Sequence, residues 1–309
     1  MLDVNRLRVL VAVARHGSMT AAARALRYAQ PSISHHLARL EAETGSRLVQ
    51  RVGRGIRLTD AGLVLAARAE EILARLDAAE AELDAHTGLT AGRVRLAAFP
   101  SALGTFVPVA AAGFAAAHPE VELRLTEAEP PDAAALLRAG EVDLAVTFGY
   151  PGGDPIDDGL RRIPLLEEQM HLVTPPDTPG DALRDHAGSR WITGCERCRA
   201  HLLRSCAAAG FIPDVAFTTD DYVAVQALVA AGLGVATLPG LALAATRRPD
   251  VRCVALDGDR RTVHAAVHGS PPDPPPTAAL LTHLVRAAGA AIDAPALTPG
   301  PATGSARPR

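Results

Sequence analysis

The stretch SMTAAARALRYAQPSISHHLARLE, residues 18–41, contains two short helical segments with a tight break between them. Ser18 stands where an N-cap belongs, and Ala22 and Leu26 follow at helical spacing, which predicts a helix of about two turns. Pro31 lacks an N–H and cannot continue that helix, yet it suits the first turn of a new one. The stretch therefore predicts a second helix that begins near Pro31.

The second helix separates an apolar face from a polar face. Its apolar positions are Ile33, Leu37 and Leu40. Two short helices joined by a tight turn, with polar donors on the second, are typical of a helix-turn-helix that enters the major groove of DNA. An ordinary hairpin of two helices in a helical core is the alternative. The polar positions are Ser32, Ser34, His35, His36 and Arg39.

The charge distribution supports the DNA-binding alternative. Residues 1–62 contain ten arginines and four acidic residues, a net charge of +6, whereas the rest of the 309-residue chain carries −9. A basic module attached to an acidic body is typical of a DNA-binding head with a partner domain of another kind. The length allows two or three domains.

A β-hairpin is predicted directly after the second helix. In RLVQRVGRGIRLTDAG, Leu48–Val49 and Ile56–Leu58 indicate two short strands around a glycine-rich turn. Such a wing can place Arg51 and Arg54 on DNA phosphates or in the minor groove. A solvated charged hairpin is the alternative.

A long helix with a heptad pattern is predicted after Thr59. It should contain about 26 residues, near 40 Å in length. Its apolar positions step by four and three, which favours a coiled-coil seam that meets a second copy of the chain, although packing on its own domain is the alternative. The seam positions are Leu65, Ala69, Ile72, Leu76, Ala79 and Leu83.

Strands alternate with helices from Arg93 onward, which predicts α/β architecture with a mostly parallel sheet. The segment is too long for one such unit, and residues 150–159 break it with Pro, Gly and Asp. Two α/β lobes with a cleft between them are therefore expected. Strands in the second lobe include Glu168–Val173 and Val251–Leu256, and the tail at residues 293–309 is predicted to be disordered.

The chain should act in the cytoplasm. Its first ten residues do not form a secretory signal, and the uncharged stretch Leu228–Ala245 is divided by glycines and Pro239 rather than forming a membrane span. We expect no membrane association. Four cysteines in such a compartment should be reduced, so no disulfide framework is predicted.

Several motifs resemble those of the LysR-type transcriptional regulators. They are the Gly-Ser before TAAA, the Gln-Pro-Ser-x-Ser at the start of the second helix, the Arg-x-x-Arg-Gly-x-x-Leu-Thr-x-x-Gly of the hairpin, VDLAV, and LVAAGLGVATLP. The resemblance covers roughly residues 2–290. It implies a winged helix-turn-helix over 1–60, a linker and dimerisation helix over 61–88, and a two-lobed effector domain, like periplasmic solute-binding proteins, over 92–292. Lobe 1 would hold about 92–163 and 266–292, and lobe 2 about 164–265.

The resemblance, together with the polar face of the second helix, assigns the DNA contacts. His35 departs from the family, where many members have arginine, so base preference is expected to differ because a neutral imidazole offers one donor and one acceptor. The partners implied are double-stranded DNA and a second copy through the linker helix, usually within a homotetramer. The predicted DNA-binding residues are Gln30, Pro31, Ser32, Ser34, His35, Arg39, Arg51 and Arg54.

The resemblance also implies a small-molecule effector in the cleft, and no other cofactor. Ser101 precedes a helix whose free N–H groups could hold a carboxylate. The other candidates lie at predicted strand ends, where open α/β sheets bind ligands, although a cap or loop role is the alternative. The predicted effector-binding residues are Ser101, Phe148, Thr193, Gly194, Thr218 and Thr219.

Cys195 and Cys198 lie at the predicted start of a helix that faces the cleft. A helix N-terminus stabilises a thiolate, so one of the two could be reactive toward oxidants or electrophiles. Two other interpretations remain open: a structural role, and a zinc site with His201 and Cys206, for which the spacing fits no common module. No metal site is predicted.

Two other classes of function compete with a ligand-controlled regulator. A periplasmic solute-binding protein is disfavoured by the basic head and by the lack of a secretory signal in the first ten residues. An enzyme is disfavoured because the chain shows no phosphate loop, nucleophile elbow or HExxH motif. We therefore expect no enzymatic activity. A DNA-binding protein whose lobes are purely structural is the third class.

Overall fold

Helices and a two-stranded hairpin form the N-terminal head in the computed structural model, which describes residues 2–26, 28–52, 55–86, 92–152 and 159–293. The hairpin strands are antiparallel, with Val49 opposite Leu58. The first strand begins at Val49, one residue later than predicted, because Leu48 is buried in the head core. The elements are α1 (Val4–His16), α2 (Met19–Ala25), α3 (Gln30–Thr44), β1 (Val49–Val52) and β2 (Gly55–Leu58).

Local capping sets the ends of the head helices. The Ser18 hydroxyl accepts a hydrogen bond from the Ala21 N–H at 3.4 Å, which confirms the predicted N-cap of α2. Pro31 lies in the first turn of α3, as predicted. Gly45 ends α3 with φ of +64°, a left-handed conformation that glycine adopts without a steric penalty.

The apolar faces of α1, α2 and α3 form one core. Ile33, Leu37 and Leu40 of α3 are buried there, as their spacing predicted. Their burial fixes the rotation of α3 about its axis, which leaves Gln30, His35 and Arg39 exposed.

Glu41 connects α3 to the hairpin. Its Oε1 accepts hydrogen bonds from the backbone N–H groups of Leu48, at 2.8 Å, and Val49, at 3.2 Å. The carboxylate therefore satisfies two donors at the point where the chain enters β1.

The Leu-Thr-x-x-Gly motif joins the hairpin to the next helix. The Thr59 hydroxyl donates to the Arg47 carbonyl at 2.7 Å and accepts from the Gly62 N–H at 3.1 Å. A Cβ at Gly62 would lie 2.0 Å from the Leu48 carbonyl oxygen, so only glycine fits there.

The helix α4 (Asp60–His86) extends from the hairpin, as predicted. Its first half packs on the head core through Ala66, Ala69 and Leu73. Ala69 belongs to the predicted seam, so the alternative of packing on its own domain holds for this half. Ile72 of the seam is 42% exposed.

The remaining strands form one eight-stranded sheet in the order β4-β3-β5-β10-β6-β9-β7-β8. The bounds are β3 (Arg93–Ala98), β4 (Glu122–Glu127), β5 (Leu144–Gly149), β6 (Leu160–Thr174), β7 (Arg190–Thr193), β8 (Asp214–Thr218), β9 (Val235–Pro239) and β10 (Arg252–His268).

The expectation of a mostly parallel sheet was wrong at the centre of the molecule. β3 pairs in parallel with β4 and β5, and β7 pairs in parallel with β8 and β9. β10, however, is antiparallel to β5 and β6, and β6 is antiparallel to β9. β6 and β10 are also far longer than the predicted strands Glu168–Val173 and Val251–Leu256, because charged residues and Gly258 obscured their outer halves in the sequence.

β6 and β10 run through both lobes and connect them. Their register is irregular between Ala255 and Arg260, in the middle of the pair. On one side they join β3, β4 and β5, and on the other side they join β7, β8 and β9. The lobes therefore share two long strands, and the irregularity marks where one lobe gives way to the other.

Helices cover the sheet in both lobes. In the first lobe, α6 and α11 pack around Phe114, Leu280 and Leu284, and in the second, α9 and α10 pack around Val225, Val229 and Leu243. Within the described ranges, no helix is long and apolar enough to cross a membrane. The helices are α5 (Pro100–Leu103), α6 (Phe106–Ala117), α7 (Pro130–Arg138), α8 (Glu196–Ala208), α9 (Tyr222–Ala230), α10 (Gly240–Ala245) and α11 (Pro275–Asp293), with a 3₁₀ turn at Leu183–His186.

The helix predicted after the first strand of the lobes is divided into α5 and α6. A Cβ at Gly104, between them, would lie 2.7 Å from the hydroxyl of Tyr222 in the other lobe. The glycine thus permits a close approach of the two lobes at this point.

Candidate functional site

The polar face of α3 is the first candidate site. Gln30, Pro31, His35 and Arg39 are exposed, and Ser32 and Ser34 are half-buried. These residues share one side of the helix because the opposite side is held in the head core. A helix with such a face and a basic surrounding can supply hydrogen bonds to base edges and phosphates.

Two of these side chains are already positioned by neighbours in α2. The Ser34 hydroxyl donates to the Met19 sulfur at 3.2 Å, and the Gln30 amide donates to the Ser34 oxygen at 3.4 Å. His35 instead lies edge-on to His36 at 6.2 Å between ring centres. The hydroxyl of Ser34 and the amide of Gln30 are thus partly ordered before any ligand binds.

The predicted wing contacts are only partly described. Arg51 lies on β1, and its side chain falls outside the described residues, as does all of Arg54. The predicted seam residue Leu83 lies on α4, and its side chain is likewise outside the description, together with residues 87–91 and the tail from 294.

The second candidate site is a cleft between the two lobes, with an empty space of about 550 Å³ including its open mouth. It lies beside the shared strands β6 and β10, which contribute Met170 and Arg261. Mostly apolar walls with a few polar groups are typical of a small-molecule site. The other lining residues that the structure describes are Phe99, Pro100, Ser101, Glu129, Phe148, Ile192, Gly194, Cys195, Cys198, Thr219, Asp220, Tyr222, Val225, Thr237, Leu238, Pro239 and Ala242.

A buried ion pair forms the floor of the cleft. The Arg261 Nε donates to Glu168 Oε1 at 2.7 Å, and Glu168 Oε2 accepts from the Leu241 N–H at 2.7 Å. A second guanidinium nitrogen donates to the Ser101 hydroxyl oxygen at 3.1 Å. The guanidinium carbon lies 4.1 Å from the ring centre of Phe148, a cation–π contact. Arg261 therefore joins residues of both lobes through β10.

Arg261 remains protonated although it is fully buried. Burial opposes its charge, but Glu168 outweighs that effect and keeps the pKa of the guanidinium above its ordinary value. The guanidinium consequently contributes a permanent positive charge to the cleft.

Two cysteines lie together on the wall of the second lobe. Cys195 is the N-cap of α8, and its Sγ donates a hydrogen bond to the Cys198 Sγ at 3.2 Å. The Tyr150 hydroxyl donates to the same Cys198 sulfur at 3.5 Å. These hydrogen bonds, the first above all, lower the pKa of Cys198, while the same hydrogen bond raises the pKa of Cys195. Cys198 is thus the more acidic thiol of the pair and Cys195 the less acidic one.

Acidic groups face the cysteines. The Oε2 atom of Glu129 is buried without a hydrogen-bond partner among the residues that the structure describes. Burial raises the pKa of this carboxyl, and Asp220 raises it further. Glu129 and Asp220 together make this side of the cleft unfavourable for a bound anion.

A stacked pair links Cys198 to the shared strands. The ring of Tyr150 lies on that of His201 with 3.9 Å between centres, and His201 Nε2 lies 2.7 Å from Asp259 Oδ1. Asp259 falls within the irregular part of β10, and its carbonyl accepts from Gln169 of β6 at 2.9 Å. A continuous series of contacts therefore connects Cys198 to the irregular part of β10, where the lobes meet.

Comparison with known proteins agrees with this geometry. Residues 87–289 match the family described as "LysR substrate binding domain", and residues 4–63 match "Bacterial regulatory helix-turn-helix protein, lysR family". The chain belongs to the LysR-type transcriptional regulators. The fold class and the family expected from the sequence are both confirmed.

One relative of this LysR-type regulator is a probable hydrogen peroxide-inducible genes activator of Streptomyces viridosporus. The two are 32% identical over 251 residues, which are 77% of this chain and 78% of the relative.

Two solved structures show the same fold. A full-length OxyR from Pseudomonas aeruginosa has a TM-score of 0.65 at 19% identity, covering 93% of this chain and 95% of that one. Full-length CbnR in complex with its target DNA has a TM-score of 0.59 at 23% identity, covering 93% of this chain and 100% of that one.

The cleft of this regulator contains four of the six effector residues predicted from the sequence, namely Ser101, Phe148, Gly194 and Thr219. Thr193 and Thr218 are not among the described lining residues. Thr193 is buried, and its carbonyl accepts from the Thr219 N–H at 2.9 Å; Thr218 is exposed.

Sequence reasoning missed the charged groups of the cleft. Arg261 and Glu168 lie on strands whose outer halves carry many charged residues, so nothing local distinguishes the buried ones. Glu129 precedes Pro130, the first residue of α7, and its position at a strand-to-helix junction is the one signal that could have found it.

The possible zinc site is not assembled. Among the described residues, no group of three or more His, Cys, Asp or Glu side chains could hold a metal ion. Cys206 is buried with Leu202 and Trp191 in the core of the second lobe, and His201 is engaged by Asp259.

Proposed function

We propose that this LysR-type regulator reads an operator through α3 and is controlled by a small organic molecule in the cleft between its lobes. The observation that carries the proposal is the cleft itself, apolar, partly enclosed and built by both lobes where they share β6 and β10. A ligand there contacts both lobes, so its binding free energy can favour one arrangement of the lobes over another.

In the head, Ser34 and His35 are proposed to contact base edges, and Arg39 to contact phosphate. The exposure of His35 and Arg39 and the ordering of Ser34 by Met19 support these roles. Gln30, Pro31 and Ser32 would lie at the N-terminal end of α3, where backbone N–H groups favour a phosphate. Arg51 and Arg54 of the wing would contact the DNA backbone.

Two heads are proposed to be held together through α4, within a dimer or a larger homo-oligomer. Ile72 is exposed and Leu76 is half-buried, so part of the apolar surface of this helix is not covered by the head. Leu76→Glu should reduce the sedimentation coefficient to that of a smaller species, because two carboxylates would face each other across the seam. Arg75→Glu, one position away, is the matched control; an equal effect of both variants would place the interface elsewhere.

The cleft is proposed to take a neutral or cationic molecule with an apolar body, rather than a simple carboxylate. Glu129 and Asp220 line it, and the positive charge of Arg261 is engaged by Glu168 and Ser101. Ser101 would direct its hydroxyl hydrogen toward such a ligand. We also propose the domain bounds given above, with the linker helix at 61–88, the effector domain at 92–292 and the tail at 293–309. A cytoplasmic location and the absence of enzymatic activity are part of the same proposal.

The proposal is tested by sequencing the DNA that co-purifies with the protein from cells, beside the double variant Ser34→Ala/His35→Ala. We expect a discrete set of enriched sites with the wild type, lost in the double variant. Molecules related to the products of the neighbouring genes are then screened for thermal stabilisation of the wild type. Site enrichment that survives in the double variant would rule out the proposed role of α3.

A further inference from the structure

Among the lining residues that the structure describes, the cysteine pair is a reactive group that a simple ligand-binding role does not use. Cys195 and Cys198 are three positions apart at the start of α8, both half-buried, and both line the cleft. Their sulfurs are 3.2 Å apart. A disulfide bond is about 2.05 Å long, so the two sulfurs must approach each other by about 1 Å to form one.

The surroundings give the two sulfurs different roles. Cys198 receives hydrogen bonds from Cys195 and from Tyr150, and Arg261 contributes a positive charge nearby. These contacts support the negative charge of a thiolate. Cys195 is the hydrogen-bond donor of the pair, and its S–H is directed at the Cys198 sulfur.

We propose that Cys195 and Cys198 form a thiol–disulfide exchange site that takes small organic disulfides from the cleft. The pair lies on the wall of a cleft with mostly apolar lining and an open mouth, so an organic disulfide would enter from solvent with its substituents against the apolar walls. The chemistry of this site does not depend on the effector proposed above.

The reaction has two balanced steps. The Cys198 thiolate attacks one sulfur of R–S–S–R; a bond forms between Cys198 and that sulfur, the S–S bond breaks, and RS⁻ leaves. The Cys195 thiol then gives up its proton, which RS⁻ takes, and attacks the Cys198 sulfur. The Cys195–Cys198 bond forms and the second RS⁻ leaves, to be protonated from solvent. The dithiol loses two electrons, and the organic disulfide gains them as two molecules of thiol.

The acidic side of the cleft selects among disulfides by charge. Glu129, which lies beside Cys195, and Asp220 attract a cationic substituent and repel an anionic one. A disulfide with two ammonium groups should therefore react fastest, a neutral one more slowly, and one with two carboxylates slowest.

Closing the disulfide also changes the contacts that lead to the shared strands. The negative charge on Cys198 is lost, so Tyr150 loses its acceptor at 3.5 Å. Tyr150 is stacked on His201, which contacts Asp259 in the irregular part of β10. Oxidation can thus alter the junction of the lobes, and its effect on DNA affinity rests on the proposed function.

The test uses the reduced full chain and three probes of different charge: cystamine, bis(2-hydroxyethyl) disulfide and 3,3′-dithiodipropionate. Samples are quenched with iodoacetamide and the cysteines are identified by mass spectrometry of peptides. We expect a Cys195–Cys198 disulfide, formed at least about tenfold faster with the cationic probe than with the anionic one. Glu129→Gln should reduce this ratio. An unchanged ratio would overturn the selection by Glu129.

Two variants separate the roles of the sulfurs. Cys195→Ser should accumulate a mixed disulfide on Cys198, whereas Cys198→Ser should leave Cys195 at least about tenfold less reactive than the pair. Cys206→Ser, buried in the core of the second lobe, is the matched control and should behave as wild type. A mixed disulfide on Cys195 at the wild-type rate, or no disulfide in the wild type with any probe, would overturn the proposal.

Two further measurements complete the test. Hydrogen peroxide at equal concentration should form the disulfide more slowly than cystamine, and the reverse order would overturn the assignment of the oxidant.

Operator binding of the reduced and oxidised protein is measured on the same samples, with His201→Asn as a variant that keeps the sulfurs. Equal affinity of both forms would reject the coupling to DNA, while failure of the reduced protein to bind any operator would reject the proposed function instead.

Discussion

The face of α3 and the cleft between the lobes are built by opposite physical means. On α3 the polar side chains are mostly exposed, and their position is set by the apolar residues behind them. At the ion pair of the cleft, Arg261 and Glu168 are buried, and each is positioned by another charged or polar group. A change on α3 should therefore alter binding with little effect on stability, whereas a change in the cleft should alter both.

The largest effect is expected from separating the buried ion pair. Arg261→Met leaves the Glu168 carboxylate buried with only the Leu241 N–H, which should cost about 3–5 kcal/mol of unfolding free energy. Urea denaturation measures this value. The double variant Arg261→Met/Glu168→Leu should recover part of the loss, because no uncompensated charge remains. A double variant as unstable as the single one would show that packing, not charge, is lost.

Substitutions on α3 of the head should weaken DNA binding without reducing stability. Ser34→Ala and His35→Ala should each weaken binding to the cognate site by about 1–3 kcal/mol, with unfolding midpoints close to that of the wild type. Binding is measured by fluorescence anisotropy at two salt concentrations. Arg204→Ala, exposed on α8 in the lobes, is the control for a change of surface polarity and should leave DNA affinity unchanged. Equal weakening on random DNA would contradict a base-reading role.

A smaller effect is expected from pH, and it comes from histidines of the lobes. Burial lowers the pKa of His171, and the pKa values of His264 and His268 are lowered in the same way. Because unfolded histidine titrates near pH 6.5, the unfolded chain binds more protons below that pH, so stability is present above about pH 6.5 and falls as the pH drops through the lower folded-state pKa values. Urea denaturation at pH 7.5 and 5.5 measures this loss. His171→Gln should reduce it, and a loss that is unchanged would exclude His171 as a contributor.

The smallest effect on stability is expected at the exposed ion pair of Arg248 and Asp250. Arg248 Nη2 lies 2.7 Å from Asp250 Oδ2. Both side chains are in solvent, which screens their attraction. Asp250→Asn should leave the unfolding midpoint unchanged in thermal denaturation. A clearly lower unfolding midpoint would mean that this ion pair stabilises the loop before β10. The exposed pair and the buried pair of Arg261 would then differ only in the size of their contributions to stability.

The same contrast explains what the sequence could predict. The head was predictable because its signals are local: the cap at Ser18, the proline at position 31 and the spacing of Ile33, Leu37 and Leu40 are read within a few turns. The cleft was not, because Arg261 and Glu168 are 93 positions apart and meet only through the pairing of β10 with β6. The long antiparallel strands were missed for a related reason, since their charged residues interrupt the apolar pattern that marks a buried strand.

The path of the chain through the shared strands has a consequence for how the protein is made. β5 (Leu144–Gly149) pairs with Thr262–Ala266 of β10, so the ribosome releases the whole second lobe before this partner emerges. α11, which covers the first lobe beside α6, emerges later still. β5 therefore lacks one of its two neighbouring strands while the second lobe folds. The second lobe is formed largely by a continuous stretch of chain. Chaperones that bind exposed strands during translation would meet this protein at β3 to β5 rather than at the head.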